Sequence, residues 1–123
     1  PWMDLDRAVP LNIKNGISIA KNFIDQNIDV IIAYPLSDGD YLYLKSLVDF
    51  PCEIIGITLT CDLEKNITNR GTRELSDYEV ERIKWMHDNG LSNPDFSQVI
   101  DTTNRSIDDT VDLVIERLEL KKK

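Results

Sequence analysis

After Pro51 the chain runs Cys52-Glu-Ile-Ile-Gly-Ile-Thr-Leu59 and continues through Thr60 and Cys61 to Asp62. Apolar and β-branched side chains fall on both faces of this run. That is the pattern of a strand buried in a parallel sheet, not the alternation of a strand with one wet face. Gly56 sits in its middle, where a missing side chain lets another group approach closely. A similar run precedes it, Ile28-Asp-Val-Ile-Ile-Ala33, ending at Tyr34-Pro35. A shorter one follows, Ser97-Gln-Val-Ile100. Three short buried strands are therefore expected, over 28–33, 52–59 and 97–100.

Helical periodicity fills the intervals. Ile13, Ile17, Ala20 and Ile24 recur at helical spacing, with Phe23 widening the stripe, so a helix is expected over 12–26. Asn12 suits its N-cap and Asn27 its stop. Ser37 to Asp40 reads as a turn. Asp40–Asp49 reads as a second helix with Tyr41, Leu44, Leu47 and Val48 inward. A short helix is expected from about Asp62 to Asn69, then a loop from Arg70 to Leu75. Ser76-Asp-Tyr-Glu79 is a capping box, opening a helix on Val80, Ile83 and Met86 that Gly90 would close. Ser106 to Asp109 starts the last helix, on Val111, Val114, Ile115 and Leu118. Helices alternating with buried strands predict an α/β fold: one parallel sheet with helices on both faces. Ligands in such sheets bind at the carboxyl ends of the strands. Those ends are Tyr34–Asp38, Thr60–Asp62 and Asp101–Asn104.

The whole length of 123 residues suits a single domain, 1–123. Lys and Arg total 14 and Asp and Glu 22, a net charge of −8. A field of that sign repels nucleic acid and anionic membrane surfaces. No apolar run reaches the roughly 20 residues that span a bilayer, and no signal peptide opens the chain. Cys52 and Cys61 flank an extended run and would lie ~30 Å apart, too far for a disulfide. Unpaired thiols and the lack of an export signal point to the cytoplasm.

None of Gly16, Gly39, Gly56, Gly71 or Gly90 begins G-x-x-x-x-G-K-[ST] or G-x-G-x-x-G, so the sequence contains no phosphate-cradling loop. The single His87, on the polar side of its helix, makes neither a zinc site nor a catalytic triad. Three features remain. Asp4-Leu-Asp6 places two acids on one side of an extended segment. There they are either a polar terminus or a pair able to hold Mg²⁺ and take a hydroxyl proton. Arg70 and Arg73 share an irregular loop, where they either pair with nearby acids or meet charge on a moving phosphoryl group. Asp101, Thr102, Thr103 and Asn104 form a polar turn between a strand and a capped helix. It is either a plain connection or a contact for a nucleotide base.

In order along the chain these features resemble the P-loop small-molecule kinases, the shikimate kinase-like and related AAA-type group. Asp101-Thr-Thr followed by Ser106-Ile-Asp-Asp-Thr-Val111 resembles the segment that lies beside adenine. Thr58-Leu-Thr-Cys-Asp-Leu-Glu64 with Arg70 and Arg73 looks like the strand, short helix and phosphate lid. Asp4-Leu-Asp6 looks like the acidic pair ending the second strand. The resemblance implies a P-loop NTPase-like, three-layer fold, here partial. It implies an ATP-dependent kinase that phosphorylates a hydroxyl of a small substrate, with ATP and Mg²⁺ as cofactors. Asp4 would hold the metal and Asp6 the acceptor. Arg70 and Arg73 would hold the phosphate, and Asp101 to Asn104 the base. The first strand, the phosphate loop and the first helix of that family have no counterpart here. The chain therefore corresponds to the C-terminal two-thirds of a longer domain, and it is not competent for transfer without the missing loop. Without the central strand, the runs at 28–33 and 52–59 would flank an open slot, an arrangement this chain should not hold alone. Two alternatives stand beside this reading: a degenerate module that binds a nucleotide or a protein without catalysis, and another parallel α/β fold.

Overall fold

In the computed structural model, which describes residues 4–68 and 73–122, the first helix, α1, covers Leu5–Ile24. It is longer than the periodic stripe predicts. Asp4, not Asn12, is its N-cap, and the Asp4 carbonyl accepts from the amides of Arg7 (3.0 Å) and Ala8 (2.8 Å). Pro10 lies inside the helix, where it withholds one backbone donor. The helix runs through it because Val9 packs on the same core as Ile13 and Ile17. Asn27 ends the helix in the left-handed region, at φ 59°. Its amide donates to Ile24 O (2.9 Å) and that of Ile28 to Phe23 O (3.1 Å), the paired bonds of a Schellman cap.

Helix α2 spans Asp38–Leu47. The turn expected at Ser37–Asp40 is in fact its N-terminal capping box. Ser37 Oγ accepts from Asp40 N, and the Asp40 carboxylate accepts from Ser37 N, both at 3.1 Å. Leu44 is buried with Ile13 and Ile17, and Leu36, Leu47, Val48 and Phe50 close around them. This core belongs to a compact unit, Pro1–Ile54.

Between these helices the structure departs most from expectation. Residues 28–33 are not a strand but irregular chain, with Ile28 50%, Ile31 90% and Ile32 47% exposed. Apolar, β-branched composition makes a segment suitable for a sheet but supplies no ladder partner. Among its described residues this unit contains no strand at all.

The second compact unit is Ile55–Lys123. Strand β1 is Ile57–Thr60, the last part of the expected 52–59 run, and β2 is Gln98–Asp101. They pair in parallel with Ile57 opposite Gln98 and Thr60 opposite Asp101. The bond from Gln98 N to Gly56 O (2.9 Å) carries the ladder one residue further. A Cβ on Gly56 would meet the Phe96 ring and Ser97 Cβ at 3.1 Å, which is the close approach its position implied. Two helices fill the crossover: the short α3, Leu63–Asn66, and α4, Asp77–Asp88. Helix α5, Ile107–Lys122, follows β2. The described residues thus form two parallel strands and five helices, a mixed α/β arrangement. None of these helices is long and apolar enough to cross a membrane.

The caps of α4 are those its sequence specifies. Ser76 Oγ accepts from Glu79 N (3.2 Å), and Glu79 Oε2 accepts from Ser76 N (2.8 Å). Gly90, at φ 77°, closes the helix with Leu91 N bonded to Met86 O (3.0 Å). Ser76→Ala should therefore destabilise the protein by about 1 kcal/mol. Chemical denaturation checks this, and a change below a few tenths would show that the cap holds nothing. On α5 the expected inner face is only half realised. Val114 and Leu118 are half-buried, but Val111 and Ile115 are 49% and 46% exposed.

Candidate functional site

The parallel pairing of β1 and β2 brings two of the three expected strand ends side by side. Thr102 N and Thr102 Oγ1 both donate to Thr60 O, at 2.8 and 2.9 Å. Thr103 then joins the loops. Its Oγ1 accepts from Asp62 N (3.0 Å) and donates to Asp101 Oδ1 (2.5 Å), while its amide donates to the same carboxylate oxygen (2.9 Å). The latter bond is an Asx turn, which is why Asp at 101 favours this bend. Lys65, on α3, donates from Nζ to Thr103 O, and Arg105 Nε donates to Asp101 O at 3.0 Å. The two hydrogen bonds from Thr103 hold the Asp101 carboxyl below the usual carboxylate range, and the charges of Arg105 and Lys65 add to that.

These loops wall a cavity of about 610 Å³. Leu59, Ile107 and Val111 give it an apolar side and are themselves 54%, 83% and 49% exposed. Thr68, Thr102, Thr103, Ser106 and Thr110 contribute hydroxyls. Lys65 and Arg105 contribute the charges, and no acid lines it among the described residues. Ser106 Oγ caps α5 by accepting from Asp109 N at 3.0 Å. Such a lining offers an apolar surface for a flat ring, hydrogen-bonding groups around it, and positive charge at the side.

The other expected site residues do not gather here. Tyr34–Asp38 is not at a strand end, because no strand forms before it. Asp4 and Asp6 are not in an extended segment. They sit at the N-cap and first turn of α1, where positions two apart lie about 200° around the axis, so their carboxylates do not share a side. Oxygen donors of this kind suit Mg²⁺, but two diverging ones do not make a pocket for it. Among the described residues no group of three or more His, Cys, Asp or Glu could hold a metal ion. Arg70 lies outside the described residues. Arg73 is exposed and ion-paired to Glu79. The backbone bond from Ser76, with Arg73 next, keeps the Glu79 carboxyl below its usual range. His87 is half-buried rather than solvated, with Nε2 3.3 Å from Asn66 Nδ2. Cys52 and Cys61 are free thiols, and Cys61 lines the cavity.

Sequence reasoning found Thr102 and Thr103 but missed Lys65 and Arg105. Arg105 adjoins the expected loop and could have been found as its nearest cation. Lys65 reaches the loop from α3 across the β1–β2 pairing, which no local pattern reveals. Comparison with family models, with curated proteins and with solved structures finds no match to this chain.

Proposed function

We propose that this chain is part of an ATP-dependent small-molecule kinase of P-loop, three-layer architecture, and that its cavity takes the adenine nucleotide. What supports this reading is the cavity at the carboxyl ends of β1 and β2. Its exposed apolar side suits a base, and the threonines beside it offer hydrogen-bonding groups, whereas Asn104 does not line it. In the complete reaction a small substrate's hydroxyl attacks the terminal phosphoryl group, with charge stabilisation as the main catalytic term. Arg73, released from its exposed pairing with Glu79, would join Arg70 on that phosphate. Asp4 and Asp6, which diverge at the start of α1, do not supply the Mg²⁺ site that this reaction needs. The triphosphate cradle is not among these 123 residues, so they bind but do not transfer.

A second reading, a nucleotide-binding module without turnover, is favoured by the divergence of Asp4 and Asp6 and by the pairing of Arg73. Calorimetry with ATP·Mg²⁺ tests what both share. The expected Kd is about micromolar, near −8 kcal/mol. No binding at millimolar nucleotide would sink both. ADP production by a form carrying a phosphate loop separates them.

A further inference from the structure

Lys65 and Arg105 are an anomaly in a chain of net charge −8. Both line the cavity, yet neither forms an ion pair among the described residues. Each is fixed instead by a neutral carbonyl, Lys65 by Thr103 O and Arg105 by Asp101 O. A carbonyl orients a cation without neutralising it. Their charges act on the Asp101 carboxylate without an ion pair, and that carboxylate is engaged by Thr103 through both amide and hydroxyl. Among the described residues the Arg105 side chain bonds through Nε alone, so its two terminal NH₂ groups keep their donors, the fork that fits a phosphate. Lys65 gives one of three donors to Thr103. Of the five hydroxyls around them, those of Thr68, Thr102, Thr103 and Thr110 donate to protein oxygens, which leaves the Ser106 hydroxyl hydrogen to meet a phosphate oxygen.

We infer that this cavity selects a phosphorylated ligand, with Lys65 and Arg105 meeting a phosphate while Leu59, Ile107 and Val111 cover the organic part. This rests on the nucleotide reading above and narrows it: the phosphate adjoining the nucleoside is recognised in this cavity itself, independently of any separate triphosphate loop. A nucleoside monophosphate is then a sufficient ligand, and a free nucleoside is not. Charge-assisted hydrogen bonds are about twice as strong as neutral ones, so the phosphate should dominate affinity.

The test is calorimetry on the full chain with three probes: adenosine, adenosine 5′-monophosphate and inorganic phosphate. The monophosphate should bind at least tenfold more tightly than adenosine and weaken as NaCl rises from 50 to 200 mM. Lys65→Gln and Arg105→Gln should each remove about tenfold of that affinity, a clearly larger loss than either causes for adenosine, whereas Lys65→Arg should retain it. Equal binding of adenosine and its monophosphate, insensitive to salt and to both substitutions, would overturn the inference and leave the nucleotide reading standing. Salt-sensitive phosphate binding that adenosine neither adds to nor competes with would uphold the anion site and overturn the base. If no probe binds, both fail. The salt dependence of the unaltered protein decides the matter even if a variant misfolds.

Discussion

Replacing Ile100 by alanine should destabilise the unit Ile55–Lys123 by about 2–5 kcal/mol, the range for removing a buried isoleucine. Ile100 is 3% exposed, in the third position of β2. It is the only buried large aliphatic or aromatic side chain among that unit's described residues. A domain has roughly 5–15 kcal/mol in all. The loss is thus a large share of what holds β2 beside β1, and with it the paired loops that wall the cavity. Urea denaturation followed by near-ultraviolet circular dichroism measures it. A shift under 1 kcal/mol would mean that the β1–β2 pair is held from elsewhere. The matching change in the other unit, Leu44→Ala, meets a better-furnished core, where Ile13, Ile17 and five flanking apolar residues can close in.

What the sequence made legible, and what it did not, divides along a physical line. Local signals carried through. Ser76 and Glu79 form their reciprocal cap, Gly90 and Asn27 take positive φ, and Gly56 is approached by Phe96. Each depends on a few neighbouring residues, so its outcome is written locally. Ser37 and Asp40 carry the same capping signal, but Gly39 between them makes the segment look like a turn in sequence. The strands required something else. Ile28–Ala33 has strand composition but no strand beside it, whereas Ile57–Thr60 has Gln98–Asp101. Pairing is a property of two segments, and hydrophobicity in one cannot specify it. The expectation that these runs would not sustain a full sheet alone followed from that same bookkeeping of backbone partners, and two of the three expected strands form. The candidate site divides in the same way. The Asp101 to Asn104 turn was readable from its own residues. The lysine that steadies it comes from 38 positions earlier and enters through the parallel register.

Thr103→Val should lower affinity for the monophosphate about tenfold, ~1.4 kcal/mol, while changing side-chain volume little. The hydroxyl bonds to both loops, through Asp62 N and Asp101 Oδ1, beyond the Thr102–Thr60 and Lys65–Thr103 bonds that also join them. Valine keeps the shape and the amide bond to Asp101 but removes that link. The turn at Thr103 then loosens from Asp62 although Thr102 stays bonded to Thr60, and the carbonyls that aim Lys65 and Arg105 shift with it. A second observable isolates this cause. The side-chain bond from Thr103 is the foremost reason that the Asp101 carboxyl lies below its usual range, so in the variant it should titrate closer to an ordinary aspartate. In the unaltered protein the folded form favours ionised Asp101. Its contribution is therefore complete above the unfolded value of about 3.9 and is lost as pH falls through the lower native value. The variant should lose what remains of that contribution at higher pH. Carbon-detected NMR of the Asp101 carboxyl would show the shift. Weakened binding with an unmoved Asp101 titration would mean that Thr103 touches the ligand directly, and that its bridge between the loops is incidental.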